Sequence, residues 1–75
     1  MPKLRRVSGG EAVKALEKLG FVQIRQRGSH VVLKKTTASG AVGCVVPLHS
    51  ELAIGTIRGI LRQAGVSVEE FLSAL

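Results

Sequence analysis

Three short segments rich in β-branched residues, placed between two helical patterns, constrain this chain more than any other feature of its sequence. They cover residues 21–26 (FVQIRQ), 30–35 (HVVLKK) and 41–46 (AVGCVV), and their alternation and composition favour strands. Arg27, Gly28 and Ser29 form one turn between them, and residues 36–40 (TTASG) form the other. Because strands joined by such short turns are antiparallel neighbours, we predict a three-stranded antiparallel meander.

An amphipathic pattern before the strands predicts a first helix over residues 9–19. Ser8 and Glu11 have the spacing of a capping box, and Gly20 suits the left-handed position that ends a helix. The apolar stripe of this helix is Ala12, Val13, Leu16 and Leu19.

A second helical pattern follows the strands, after a connection over residues 48–54. Thr56 is the expected N-cap of this helix, and Gly65 is its expected end. Ser67 and Glu70 repeat the capping-box spacing and predict a short last helix. The apolar stripe of the second helix is Ile57, Ile60, Leu61 and Ala64.

The predicted element order is therefore α-β-β-β-α with a terminal helical turn, in the α+β class. An antiparallel sheet with one apolar face needs cover, which the two helices can supply from one side. This is the architecture of double-stranded-RNA-binding domains, although a fold alone does not establish a function.

Length and composition narrow the class of protein. Seventy-five residues, 45% of them hydrophobic, predict a single domain over residues 1–75. The only cysteine, Cys44, cannot form an internal disulfide, and one cysteine with two histidines is a poor supply of zinc ligands. No apolar run approaches the roughly 18 residues of a membrane span, and the basic start MPKLRRVSGG lacks the apolar stretch of a signal peptide. We therefore expect a cytoplasmic protein without metal, cofactor or membrane partner.

The positive charge is concentrated in the first half of the chain. Residues 1–35 hold nine Lys and Arg against two Glu, a net charge of +7, whereas residues 36–75 hold two Arg against three Glu, a net charge of −1. This asymmetry favours a polyanionic partner such as RNA. Since the only aromatic residues are Phe21 and Phe71, we expect RNA to be bound through its backbone and not by base stacking.

His30 is the main candidate for chemistry. It follows the first turn and shares a strand face with Lys34, opposite the apolar Val31 and Leu33. An imidazole can accept and donate a proton near neutral pH, which would suit cleavage of RNA beside the cations Arg25, Arg27 and Lys34. From the residues alone, a solvated turn histidine is the alternative.

Three further residues, His49, Ser29 and Cys44, carry groups that could take part in chemistry. His49 could assist His30 or serve the fold, Ser29 is a turn serine, and Cys44 is expected to be a buried, inert thiol. There is no Asp in the chain, which excludes a Ser-His-Asp triad.

Four segments together resemble the HicA (YcfA-like) toxins of bacterial toxin–antitoxin pairs: GSH at 28–30, VPLH at 46–49, GTIRGILRQAG at 55–65 and VSVEEFL at 66–72. The resemblance implies a small mRNA interferase with a double-stranded-RNA-binding-like fold, which needs no metal and is neutralised by a HicB antitoxin. It implies that His30 is catalytic. From the concentration of positive charge around this histidine, we expect RNA to be bound by Arg25, Arg27, Gly28, Ser29 and Lys34. The resemblance also implies that His49 and Thr56 maintain the fold or contact a partner.

Two alternatives belong to other classes of protein. One is a non-catalytic double-stranded-RNA-binding module, and the other is a protein whose basic face docks an acidic protein. The binding modules carry several lysines at the start of their second helix, whereas here the first cation is Arg58, which favours the nuclease.

Overall fold

A computed structural model describes residues 3–75, so Met1 and Pro2 of the basic start lie outside the described residues. Three antiparallel strands in the order β1-β2-β3 form one sheet, which three helices accompany. The predicted α+β fold is confirmed. The elements are α1 (Gly9–Lys18), β1 (Val22–Arg27), β2 (His30–Thr37), β3 (Gly40–Pro47), α2 (Ile54–Ala64) and α3 (Val68–Ala74).

The predicted caps of the first and last helices are present. The Ser8 hydroxyl accepts the Glu11 amide at 3.0 Å, and the Glu11 carboxylate accepts the Ser8 amide at 2.9 Å. Ser67 and Glu70 make the same reciprocal pair at the start of α3, at 3.0 Å each. Each pair satisfies two amides that the first turn of a helix leaves without intrahelical partners.

The start of α2 differs from the prediction. The helix begins at Ile54, with Ala53 as an N-cap that makes no side-chain hydrogen bond, and Thr56 lies inside the first turn. The prediction of Thr56 as the cap was therefore wrong. Its physical basis was the preference of hydroxyls for caps, which the burial of Leu52 and Ile57 on either side of the true start overrides. The end at Gly65 is confirmed, with φ of 67° in the left-handed region.

The helices pack on one face of the sheet and enclose the core there. Val31 and Leu33 of β2 and Cys44 and Val46 of β3 alternate into this core, as the period of a half-buried strand requires. From the helices and connections it receives Val7, Ala12, Val13, Ala15, Leu16, Phe21, Leu52, Ile57, Ile60, Leu61, Ala64, Phe71 and Ala74. We call this side of the sheet the covered face and the other side the open face.

Strand β1 corrects the predicted alternation. Val22 and Ile24 were expected on one face and Gln23 and Arg25 on the other. The register instead shifts between Gln23 and Arg25, so that Val22 and Arg25 both lie on the open face, opposite Lys34 and Val32 respectively. A β-bulge inserts one residue and thereby reverses the parity of the strand beyond it. All six residues of β1 are exposed, so the core ends at β2.

The segment before α1 is held against the loop after β3. The Leu52 amide donates to the Val7 carbonyl at 2.7 Å, and the Gly9 amide donates to the His49 carbonyl at 2.8 Å. Arg6 and Glu51 form an exposed ion pair at 2.9 Å. These bonds fix the loop that leaves the sheet beside β2. Within residues 3–75, no helix has the length and apolar character that crossing a bilayer requires.

Candidate functional site on the open face

The register of the two hairpins determines which side chains share the open face. Residues directly opposite each other in an antiparallel pair point to the same side of the sheet. On this side β1 contributes Val22, Arg25 and Arg27, β2 contributes His30, Val32, Lys34 and Thr36, and β3 contributes Ala41, Gly43, Val45 and Pro47. His30 and the three cations singled out from the sequence therefore lie on one surface.

The backbone of His30 is fixed from both sides. His30 closes the first hairpin opposite Arg27 and is paired with Pro47 on the other side. Between Arg27 and His30 lies a two-residue turn, in which Gly28 has φ of 58°, a conformation that suits glycine. Because β2 is the central strand, the backbone of His30 has a strand on each side. The side chain of His30 is exposed.

Two hydrogen bonds anchor the turn itself. The Gln26 side-chain amide donates to the Gly28 carbonyl at 2.9 Å. The Ser29 carbonyl accepts the Leu48 amide at 2.6 Å, which ties the turn to the loop after β3. The Gly28 and Ser29 positions are exposed, so a ligand on the open face could approach their backbone.

The charge of the open face is unbalanced. Residues 18–50, which include the whole sheet, contain no Asp or Glu. The one ion pair among residues 3–75, Arg6 with Glu51, lies outside the sheet. Arg25, Arg27 and Lys34 are therefore exposed cations without a carboxylate from any strand, and their mutual repulsion would be relieved by an anion.

An apolar patch also lies on the open face, which the sequence did not lead us to expect. Val22, Ile24 and Val45 are 61%, 55% and 41% exposed. Ile24 lies in the bulge and lines one groove together with Val32 and Lys34. Alternation had assigned Val22 and Ile24 to the same face but could not show that this face is the one without helices.

The remaining candidates take different positions. His49 is exposed, two residues beyond the partner of His30, and its carbonyl holds the Gly9 amide. Cys44 is buried, and this burial raises the pKa of its thiol to about 11, as expected for an inert thiol. Among residues 3–75, no three His, Cys, Asp or Glu side chains are grouped as metal ligands would be.

Comparison with models of protein families gives a match for most of the chain. A family model described as the HicA toxin of bacterial toxin–antitoxin matches residues 9–66, well over half of the chain. The match runs from the start of α1 to just past the end of α2 and includes the sheet with all the open-face residues. A search of the curated proteins found no match.

Proposed function

This chain belongs to the HicA family of toxins from bacterial toxin–antitoxin systems, and we propose that it is a metal-independent endoribonuclease. In this proposal it acts in the cytoplasm, cleaves mRNA and so arrests translation and growth. A HicB-type antitoxin neutralises it.

One observation carries the proposal. His30, an exposed imidazole on a fixed backbone, lies directly opposite Arg27 on a sheet face to which no strand contributes a carboxylate. A phosphodiester is attracted to such a face because each phosphate carries a negative charge. An acid–base group is then already present among the cations that hold the phosphate.

The proposed reaction uses the 2′-hydroxyl of RNA as the nucleophile. His30 removes the proton of this hydroxyl as its oxygen attacks the adjacent phosphorus, and the bond to the 5′-oxygen breaks. The proton then passes from His30, directly or through water, to the leaving 5′-oxygen, which yields a 2′,3′-cyclic phosphate and a free 5′-hydroxyl. Arg25, Arg27 and Lys34 stabilise the negative charge that develops on the phosphate.

The turn before His30 has a separate role in this proposal. Gly28 and Ser29 bind the RNA backbone, because an exposed turn with a glycine lets a phosphate approach the main chain closely. A β-carbon at Gly28 would meet no atom within 4 Å, which indicates open space in front of this residue.

A cleavage assay with matched histidine variants tests the proposal. Wild type, His30→Ala and His49→Ala are incubated with the same RNA in EDTA, and circular dichroism melts are recorded alongside. His30→Ala should cleave RNA about 10² to 10⁴-fold more slowly than the wild type, the usual effect of removing a general acid–base group. Its melting temperature should change little, because an exposed side chain leaves no cavity.

The alternative is a non-catalytic double-stranded-RNA-binding module. Cleavage by folded His30→Ala at the wild-type rate would remove His30 from the chemistry. RNA binding by the wild type without any cleavage would establish the binding module instead. Loss of cleavage when the 2′-hydroxyl is methylated, with a cyclic phosphate on the ordinary product, would support the proposed route.

A further inference from the structure

The two edge strands of the sheet, β1 and β3, differ in how well they are protected against pairing with an additional strand. The edge strand β1 has a bulge and carries Arg25 and Arg27, which are features that prevent another strand from pairing. The other edge strand, β3, pairs with β2 in an unbroken register over its eight residues and contains no charged residue (GAVGCVVP). Long, regular and uncharged edges are the ones that accept an additional strand.

The register identifies the free backbone groups of β3. Thr37 and Gly40 are partners at the end of the ladder, with only Ala38 and Ser39 between them. In a two-residue hairpin the partners that flank the turn form a hydrogen-bonded pair, so Thr37 and Gly40 are such a pair. Hydrogen-bonded pairs alternate along an antiparallel ladder. The amides and carbonyls of Ala41, Gly43 and Val45 therefore point away from β2. Among residues 3–75, no backbone hydrogen bond outside the ladder uses these groups.

The side-chain surface beside this edge is small and apolar. Ala41, Gly43 and Val45 are exposed on the open face. A groove continues from Gly43 and Val45 toward Lys34 on one side and reaches Gln63 of α2 on the other. A strand added along β3 would place every second side chain on the open face, next to these residues.

The absence of a side chain at Gly43 makes Lys34 accessible from the edge of β3. Gly43 lies directly opposite Lys34 in the register, and because it has no side chain, nothing from β3 stands between the edge and Lys34 at this point. Neighbouring strands are about 4.8 Å apart, so Lys34 is about 10 Å from the axis of an added strand. The extended side chains of a glutamate and a lysine together span this distance.

We propose that the edge of β3 binds an extended acidic segment of the antitoxin as a fourth strand. Backbone hydrogen bonds to Ala41, Gly43 and Val45 hold the segment, and a carboxylate passes over Gly43 to Lys34. The identification of the partner as an antitoxin rests on the proposed function. Because Lys34 also belongs to the proposed RNA site, the bound segment competes with RNA for this cation.

Charge favours an acidic partner over a second copy of the chain. The sheet carries Arg25, Arg27, Lys34 and Lys35 and no carboxylate. Two such sheets joined along β3 would form a continuous cationic surface, whereas an acidic segment lowers the repulsion within one sheet.

The test removes one outward amide from the edge. Val45→Pro lacks an amide that points away from β2, so the ladder of β2 and β3 keeps all its hydrogen bonds. Val45→Ala is the matched control, because it shortens the same side chain and keeps the amide. The probe is the HicB-type antitoxin of the proposed function, purified on its own. Val45→Pro should weaken its binding about tenfold or more, the effect of a lost hydrogen bond and an obstructing ring, and Val45→Ala should weaken it less.

Hydrogen exchange of the wild-type protein, free and in the complex, tests the proposal without any substitution. The amides of Ala41, Gly43 and Val45 should exchange rapidly in the free protein and become protected in the complex. Ala41→Pro serves as a second edge variant if Val45→Pro does not fold.

Each outcome bears on the proposal. Unchanged exchange at the three amides in the complex, or equal binding by folded Val45→Pro and Val45→Ala, would overturn it. Protection of the same amides in a dimer of the free protein would assign the edge to a second copy and would also overturn it. The proposed function is tested separately, because Val45→Pro should still cleave RNA, whereas failure of the ribonuclease assignment would appear as absence of cleavage by the wild type.

Discussion

Gly9 lies so close to Pro47 that a β-carbon on Gly9 would overlap the Pro47 carbonyl oxygen and approach the Leu48 α-carbon to 2.7 Å. The first turn of α1 thereby rests directly on the backbone that leaves β3. Because Pro47 is the neighbour of His30 in the sheet, this contact also supports the strand end that bears the candidate catalytic residue.

Gly9→Ala should therefore destabilise the protein, whereas Gly10→Ala should not. At Gly9 the obstructing atoms are backbone and cannot turn aside, so we expect a loss of about 1 to 3 kcal/mol, as for overpacked sites. A β-carbon at Gly10 meets only the Ser8 hydroxyl, at 3.8 Å, and alanine favours the helix. Urea denaturation of the two variants measures the difference. Equal stability of both would show that the contact between α1 and β3 is loose.

Neutralising the open-face cations should weaken RNA binding and its dependence on salt. We expect Arg25→Gln, Arg27→Gln and Lys34→Gln each to lower the log–log salt slope by about 0.7 to 0.9, the effect of one lost phosphate contact. The matched control is Arg58→Gln, which removes an exposed cation from α2, on the covered side of the sheet. Filter binding over a range of salt concentrations measures the slopes. A change confined to the Arg58 variant would place the RNA site on the helices.

The Cys44 thiol should resist alkylation while the protein is folded. Burial raises its pKa from 9.0 to about 11, which reduces the reactive thiolate about 100-fold at pH 8, since each pKa unit is a factor of ten. Iodoacetamide should therefore label the native protein about 100-fold more slowly than the protein in urea. Rapid labelling without denaturant would mean that β3 opens frequently.

The capping boxes should make stability dependent on pH in the acid range. The Ser8 backbone amide, which donates to the Glu11 carboxylate, lowers the pKa of Glu11 below 4.5, and the Ser67 amide does the same for Glu70. A carboxyl whose pKa is lower in the folded state stabilises the protein above its unfolded pKa. This contribution is present above pH 4.5 and is lost as the pH falls toward the folded value.

Thermal melts between pH 2 and 6 measure this effect. Glu11→Gln and Glu70→Gln should each flatten the acid decline of the melting temperature, and Glu69→Gln, outside the capping box, should flatten it less. Identical pH profiles for the wild type and the first two variants would contradict the assignment.

Much of the candidate site could be predicted from the sequence, because it depends on one short turn and on the alternation within one strand. The two-residue turn with Gly28 determines that Arg27 faces His30 across the hairpin, although we had assigned Arg27 to the turn. Alternation within β2 correctly separated His30 and Lys34 from the buried Val31 and Leu33. The catalytic role of His30 and the RNA contacts of its neighbours stay predictions, which the cleavage and salt experiments address.

Local patterns along the chain were enough to predict the element order, the capping boxes and the buried face of β2, because hydrogen bonds between near neighbours and the period of a strand decide these features. The bulge in β1, the exposure of Val22 and Ile24 and the start of α2 at Ile54 became apparent only in the folded protein. A bulge depends on the partner strand, and exposure depends on where the helices end above the sheet. Both are relations between residues distant in the chain, which no local pattern records.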